Sequence, residues 1–158
     1  MPKIIPCLWF AGQAEEAANL YISLFKNSKI LSTALYPENA PGQAGTIMTV
    51  NFEIEGQEFI ALNGGPLFQF NESISFAMTC EDQTELDRLW YGLTANGGEE
   101  VQCGWLKDKF GVSWQITPKI LEELLSDPDK EKTDRVFQAL LNMVKLDIEG
   151  LKKAYSGV

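Results

Sequence analysis

The amino-acid sequence predicts an α+β fold in which two βαβββ modules are followed by C-terminal helices. Two observations favour this class: a strand–helix–three-strand order occurs twice, and the patterning becomes purely helical near the end of the chain. A length of 158 residues suits one domain built around one apolar core. We therefore expect a single domain over residues 1–158, with module one at 1–66, module two at 73–118 and a helical tail at 119–158.

Module one opens with an apolar run, and a helix is expected after Gly12 because apolar side chains then recur at helical spacing. Residues 37–45 contain the Pro and Gly that are typical of a loop. Glu55-Gly56 separates two segments of alternating character, which predicts a hairpin. The expected elements are a strand at 4–10, a helix from Ala14 to Phe25, and strands at 29–36, 46–55 and 57–63.

Module two repeats this order after a short loop. Asp82 and Glu85 lie three residues apart at the start of a helical pattern, a spacing that lets both side chains satisfy free backbone amides. Asn96-Gly97-Gly98 is typical of a helix end. The expected elements are a strand at 73–80, a helix between Asp82 and Asn96, and strands at 99–103, 105–107 and 113–117.

The tail carries three helical patterns. Pro118 suits the first position of a helix whose apolar face runs from Ile120 to Leu125. A second apolar face runs from Val136 to Lys145, and a short last helix is expected from Asp147 to Tyr155. These faces must cover apolar surface, either on this chain or on a partner chain.

Sequence identities at fixed offsets support the repeat. The two helices share three identical positions, and two later strand and turn positions correspond at a smaller offset. The decrease in offset from 70 to 55 is consistent with a second copy that lacks the loop at 37–45. The matched positions are Gln13 with Gln83, Glu15 with Glu85 and Tyr21 with Tyr91 at an offset of 70, and Gly56 with Gly111 and Phe59 with Trp114 at 55.

Composition argues against several classes of function. The chain contains no His, so a Ser-His-Asp triad and a His-based zinc site are both excluded. A formal net charge of −9 disfavours binding to nucleic acid or to anionic membranes. No apolar run approaches the ~18 residues of a membrane span, and the N-terminus lacks secretory-signal features. Cys7, Cys80 and Cys103 are distant and form no CxxC pair, so we expect a cytoplasmic protein.

Three blocks of sequence carry a resemblance to a known family: Leu8 to Ala17, Phe59 to Pro66, and Cys103 to Ile116. Together with the tail from Leu121 to Leu151, they resemble the PhnB-like branch of the vicinal oxygen chelate superfamily. That superfamily includes glyoxalase I, bleomycin-resistance proteins and extradiol dioxygenases, and the branch is often labelled 3-demethylubiquinone-9 3-methyltransferase. The resemblance implies two modules whose sheets curl into open half-barrels, each cupping a pocket, and a homodimer.

The resemblance also bears on metal binding. Metal-using members take His, Gln or Glu ligands from strands that face the pocket, and a Glu often lies four residues after the Gly of the last hairpin. That Gly corresponds to Gly111 here, so the equivalent position is Gln115. With no His and an amide at this position, we expect no metal site and no cofactor.

Aromatic and amide side chains are the candidate ligand-binding groups. Aromatic residues exceed what two small modules need, and Phe68 and Phe70 lie in a loop, so we expect a pocket for a planar apolar ligand. Asn63 and Gln115 lie near strand ends, where they either hydrogen-bond a ligand or satisfy backbone groups. Asp108 has no paired group that would support a role as general base. The candidates are Trp9, Phe59, Asn63, Phe68, Phe70, Trp105, Trp114 and Gln115.

Three functions fit these observations. The first is a cytoplasmic, homodimeric protein that binds a small, partly aromatic molecule. The second is an enzyme, either a metal-dependent lyase or isomerase or the quinone methyltransferase of the family label. Neither Gly12 nor Gly64-Gly65 supplies the Gly-rich turn that S-adenosylmethionine enzymes of the doubly wound type use, so the label is treated as a family name. The third is a non-catalytic dimer scaffold whose pockets are filled by its own aromatic side chains.

Overall fold

The computed structural model describes residues 2–158, which fall into two compact units that meet in sequence between Phe70 and Asn71. Unit 1 contains one helix and one sheet, and unit 2 contains a second such set followed by the tail. The α+β class and the repeated strand–helix–three-strand order are confirmed. That the two units act together as one domain remains a prediction.

Unit 1 forms a four-stranded mixed sheet covered by one helix. The elements are β1 (Cys7–Phe10), α1 (Ala14–Leu24), β2 (Lys29–Leu35), β3 (Ile47–Ile54) and β4 (Gln57–Asn63). The strand order is β1-β4-β3-β2, in which β1 and β4 are parallel and the other pairs are antiparallel. Glu55 and Gly56 both have positive φ, as a two-residue hairpin turn between twisted strands requires.

Helix α1 packs closely on this sheet because its buried face carries the small side chains of Ala14, Ala17 and Ala18. The larger Tyr21 lies beside Phe52, with ring centroids 5.9 Å apart. Phe52 in turn stacks on Phe59, the residue directly opposite it on β4, at 5.3 Å. The aromatic column fixes the helix over the centre of the sheet.

Unit 2 repeats the plan and adds three helices. The elements are β5 (Ser75–Cys80), α2 (Gln83–Thr94), β6 (Glu99–Glu100), β7 (Trp105–Lys107), β8 (Ser113–Pro118), α3 (Ile120–Leu125), α4 (Lys130–Leu141) and α5 (Ile148–Ser156). The strand order is β5-β8-β7-β6, with β5 parallel to β8. In neither unit do the described strands close into a barrel.

Several expected boundaries in unit 2 differ from the structure: β5 begins at Ser75 and not at residue 73, and α4 ends at Leu141 and not at Lys145. Strand β6 stops at Glu100, because Cys103 and Gly104 adopt positive φ and donate their amides to the tail at Met143 and Val144, at 2.8 Å each. Pro118 ends β8 opposite Cys80 and does not begin a helix. The amide of the next residue, Lys119, donates to the Cys80 carbonyl at 2.8 Å, which extends the strand pairing by one bond.

The start of α2 confirms Asp82 as the cap, since its carboxylate accepts the Glu85 amide at 2.8 Å. The repeat offset of 70 between the helices is wrong by one residue. Tyr21 is fully buried, whereas Tyr91 is 57% exposed and Trp90 occupies the buried position on α2. An offset of 69 aligns both helix starts and both buried faces, because packing against the sheet, rather than residue identity, defines structural equivalence.

The tail packs on itself and is anchored to α2. Leu124, Val136 and Leu151 form its core, with one residue from each of its three helices. The Gln83 side chain accepts the Ile148 amide at 2.8 Å and donates to the Leu146 carbonyl at 3.1 Å. The tail helices therefore cover apolar surface within unit 2. Within residues 2–158, no helix combines the length and apolar character that a lipid bilayer would require for crossing.

Candidate functional site

Each sheet has one face covered by the helix of its own module and one face directed away from that helix, which we call the distal face. In unit 2, α2 covers the side that carries Leu106, Trp114 and Ile116, all of them buried. The distal face of unit 2 carries the alternate residues of the same strands. They are Ser75, Ala77 and Thr79 on β5, Ser113, Gln115 and Thr117 on β8, Trp105 and Lys107 on β7, and Glu99 on β6.

Strand register arranges these side chains in rows across the distal face of unit 2. Trp105 lies directly opposite Gln115, and Lys107 lies directly opposite Ser113. On its other side, Ser113 faces Ser75. Directly opposite side chains have Cβ atoms about 4.5–5.5 Å apart, so one small molecule can touch the Trp105 indole and the Gln115 amide together.

The polar groups of this face are only partly satisfied within the protein. Gln115 donates from Nε2 to Ser75 Oγ at 2.9 Å, and no described residue donates to its Oε1. Ser113 is 1% exposed, and among residues 2–158 its hydroxyl has no hydrogen-bond partner. An unsatisfied buried hydroxyl costs about 1–3 kcal/mol, and a ligand reaches this one only if the side chains that cover it move.

The charged side chains on and beside the distal face of unit 2 carry a small net negative charge. Lys107 forms an ion pair with Glu72, and Glu99 lies opposite Lys107 on β6. The hydrogen bond with Glu72 raises the pKa of Lys107, and the same bond lowers the pKa of Glu72. Two carboxylates against one ammonium leave one net negative charge, which favours neutral or cationic ligands over anionic ones.

Trp114 and Asp108 lie on the covered side and form a hydrogen-bonded turn. Trp114 Nε1 donates to Asp108 Oδ2 at 3.0 Å. Asp108 Oδ1 accepts the amides of Phe110 at 2.9 Å and Val112 at 3.0 Å. Both side chains are buried. The Asp108 carboxylate therefore stabilises the turn between β7 and β8, and its position does not support a role as general base.

In unit 1, two candidate residues lie on the α1 side of the sheet. Phe59 is buried in the aromatic column. Asn63 accepts the Ala14 amide on Oδ1 at 2.9 Å and donates from Nδ2 to the Ile47 carbonyl at 3.1 Å. Its side chain thus joins the start of α1 to the start of β3, which is the backbone-satisfying alternative that the sequence left open.

Asn63 and Gln115, although both near strand ends, are not equivalent. Phe10 and Cys80 are the last residues of the equivalent strands β1 and β5. Phe10 pairs with Asn63 and Cys80 pairs with Pro118, so Asn63 in unit 1 corresponds to Pro118 in unit 2. Gln115 corresponds to Ile60 and lies on the distal side of its sheet. The two amides therefore occupy opposite sides of their respective sheets.

Trp9 and Phe68 form an aromatic surface in unit 1. Their ring centroids are 4.9 Å apart in an edge-to-face arrangement, and Phe68 is 59% exposed. Trp9 is held in place by a 2.8 Å hydrogen bond from Nε1 to the Gly65 carbonyl. A Cβ on Gly64 would lie 2.5 Å from the indole, so this position requires glycine. Phe70 packs instead against buried Phe10 at 5.2 Å.

Unit 1 also contains a cavity of about 440 Å³ where strand ends meet the start of α1. Tyr36, Thr46 and Asn63 contribute to its wall. The Tyr36 hydroxyl donates to the Asn63 carbonyl at 2.5 Å. Glu15 and Gln43 also contribute polar groups to this wall.

Sequence reasoning missed Ser75, Ser113, Lys107 and Glu72. Strand parity with Gln115 could have indicated Ser113. Ser75 and Glu72 lie far from β8 in sequence, and only the parallel pairing of β5 with β8 brings that segment to the site.

The residues present do not fit a divalent metal. Within residues 2–158 no group of three His, Cys, Asp or Glu side chains is placed to hold an ion. The immediate neighbours of Gln115 on its face are Trp105, Ala77 and the hydrogen-bonded Ser75. A single amide oxygen is a weak ligand set for a hard cation, which takes six or more oxygens in most protein sites.

Comparison with known proteins identifies a family whose members resemble this chain. Residues 2–117 match the model of the family described as 3-demethylubiquinone-9 3-methyltransferase. A PhnB protein from Bacillus cereus, provisionally designated a 3-demethylubiquinone-9 3-methyltransferase, is 39% identical with a TM-score of 0.68. The match covers 74% of this chain and 99% of that protein. No functionally curated protein is similar enough to count as a match.

More distant structures share the fold. The fosfomycin resistance protein FosX from Listeria monocytogenes is 16% identical with a TM-score of 0.57, over 80% of this chain and 98% of its own. Protein PA1353 from Pseudomonas aeruginosa is 22% identical with a TM-score of 0.56, over 75% of this chain and 98% of its own. At these identities the likeness concerns the fold alone.

Proposed function

This chain belongs to the PhnB-like 3-demethylubiquinone-9 3-methyltransferase family and has the glyoxalase/bleomycin-resistance-like fold of the vicinal oxygen chelate superfamily, and from that premise we propose that the distal face of unit 2 binds a small, flat, partly aromatic molecule. The main support for this binding site is the arrangement of three side chains. Trp105 and Gln115 are direct neighbours on this face, beside a buried Ser113 hydroxyl that has no partner among residues 2–158.

The chemistry of the face defines the ligand class. The Trp105 indole supplies apolar contact, which is worth about 25 cal/mol per Å² of buried apolar surface. Gln115 Oε1 accepts a hydrogen bond from the ligand. The net negative charge of Glu72, Glu99 and Lys107 opposes carboxylates and phosphates. Neutral phenols, quinones and heterocycles fit better than aromatic acids.

The aromatic surface of Trp9 and Phe68 in unit 1 is a second region that suits a flat ligand, because Phe68 is largely exposed and Trp9 is held in place by Gly65. The side chains of Phe59, Asn63, Phe70 and Trp114 make internal contacts that account for their positions. Ligand contact by these four stays a prediction, and the proposal does not depend on it.

The two enzyme alternatives receive less support from the structure. A doubly wound S-adenosylmethionine enzyme places its ligand at the strand ends of a largely parallel sheet, and both sheets here are mixed and four-stranded. One FosX structure is a complex with Mn(II) and sulfate, at 16% identity. The donor set around Gln115 does not reproduce a divalent site. We therefore derive no methyl-transfer or metal-dependent step.

Replacing Gln115 by leucine is expected to weaken binding of a polar aromatic ligand by about 1–3 kcal/mol, or about 5- to 150-fold in Kd, because a ligand donor loses its partner. The free energy of unfolding should change by less than about 0.5 kcal/mol, since Gln115 is half-buried and Ser75 can bond to water. Tryptophan fluorescence titration with phenol, hydroquinone and cytosine, each of which carries a donor, measures the first effect, and a melting curve the second.

Gln138→Leu is the matched control for this experiment, because Gln138 is exposed on α4, away from the distal face. Trp105→Phe should retain binding and lose much of the fluorescence response. Failure of the wild-type protein to bind any of the three ligands would refute the proposed function. Lower stability with unchanged binding in the Gln115 variant would show that the amide serves only the protein.

We further propose that the protein is a cytoplasmic homodimer. The tail helices bury most of their apolar surface within unit 2, but Phe137 and Leu141, one turn apart on α4, are 48% and 44% exposed. The expected result is a dimer at micromolar concentration in sedimentation equilibrium, with more monomer after Phe137→Lys and no change after Thr84→Lys, at an exposed position on α2. A monomeric wild-type protein contradicts the proposal.

A further inference from the structure

We propose that the tail adds an apolar-chain subsite to the distal face of unit 2, so that the preferred ligand carries an aliphatic chain or second ring beside its polar aromatic head. The subsite is a cavity of about 430 Å³ between the ends of β5 and β8 and helix α3. This inference rests on the proposed function, because the head group is taken to lie at Trp105 and Gln115.

The cavity begins one row of side chains away from the head-group position. Thr117 follows Gln115 by two residues on β8 and therefore points to the same face. Thr79 lies directly opposite Thr117 on β5. Both threonines line the cavity, which thus begins one row from Gln115, or about 6.5–7 Å along the strand.

The opposite wall is apolar and held in place. Leu121 and Leu125 of α3 line the cavity, and both also pack against the tail core of Leu124, Val136 and Leu151. Some polar groups of the lining are already engaged: the Thr117 hydroxyl donates to the Met78 carbonyl at 3.4 Å, and Lys119 pairs with Glu81. The Thr79 hydroxyl and the Glu122 carboxylate also line the cavity, and the negative charge of Glu122 opposes an anionic substituent. The space therefore suits methylene groups better than a charged substituent.

This subsite belongs to the tail, which the family match over residues 2–117 does not include, so the resemblance of Leu121 to Leu151 to the family stays a prediction. The match ends at residue 117, whereas six of the eight residues that line the cavity come after that position. The Bacillus cereus relative is matched over 99% of its own length but over only 74% of this chain. We infer that the tail supplies ligand selectivity on a shared fold.

The test is a homologous series of ligands: phenol and 4-ethyl-, 4-butyl- and 4-hexylphenol, titrated by tryptophan fluorescence. Wild-type Kd should fall about three- to fourfold with each methylene that the cavity buries. Thr79→Phe fills the cavity from an exposed edge-strand position and should abolish the dependence on chain length. Thr84→Phe, an exposed position on α2, is the matched control and should behave as wild type.

Leu125→Ser is a second variant that removes apolar wall and should reduce the gain per methylene. Phenol binding with no gain along the series overturns the subsite and leaves the proposed function intact. A gain that persists unchanged in Thr79→Phe also overturns it. A third outcome is that the wild-type protein binds hexylphenol but not phenol, and that Thr79→Phe abolishes hexylphenol binding. This outcome supports the subsite and contradicts the head-group site. If no member binds, both fail.

Discussion

Replacing Trp90 by alanine is expected to lower the free energy of unfolding by about 3–5 kcal/mol, the range for removing a fully buried large aromatic side chain. Trp90 is fully buried between α2 and the sheet of unit 2. Its Nε1 also donates to Glu100 Oε1 at 2.7 Å, which ties the helix to the short edge strand β6. Both the apolar contact and this hydrogen bond disappear in the variant.

Tyr91→Ala is the control, because Tyr91 is adjacent and largely exposed. Its expected effect is below about 0.5–1 kcal/mol, since the side chain is 57% exposed and its contacts with Lys145 lie at the surface. Urea denaturation followed by circular dichroism measures both variants. Equal losses would contradict the assignment of Trp90, rather than Tyr91, as the structural counterpart of Tyr21.

Replacing Asp108 by alanine is expected to cost about 2–4 kcal/mol, because two buried amides and one indole N–H lose their acceptor. Asp108→Asn should cost less. Its side-chain oxygen can still accept the Phe110 and Val112 amides, but its NH₂ group would face the Trp114 N–H, so two donors would meet. The predicted order of stability is therefore wild type, then Asn, then Ala.

Asp134→Ala on the exposed side of α4 is the control and should change stability by less than about 0.5 kcal/mol. Guanidinium or urea denaturation at neutral pH provides the measurement. An Asp108→Ala variant as stable as wild type would show that the carboxylate has a role other than holding the turn. The phenol Kd is expected to stay unchanged in both Asp108 variants, because Asp108 lies on the side of the sheet covered by α2.

The order of elements is determined by the sequence itself. Helical and two-residue periodicities are local properties, so α1, α2 and the hairpin of β3 and β4 follow from them directly. Asp82 caps α2 because a side-chain oxygen at that position reaches the Glu85 amide within one turn. The absence of His likewise excludes imidazole chemistry without reference to structure.

The composition of the candidate site was decided by the tertiary structure. Alternation along a strand defines two faces but does not say which one the helix covers, so Trp114 and Gln115 could not be assigned to opposite sides from the sequence. The parallel pairing of β5 with β8 brings Ser75 and Glu72 to Gln115 and Lys107, across some 35–40 residues of chain. Helix α3 meets the same face only because the tail folds back on unit 2. Such contacts depend on register and packing between distant segments, which local patterns do not encode.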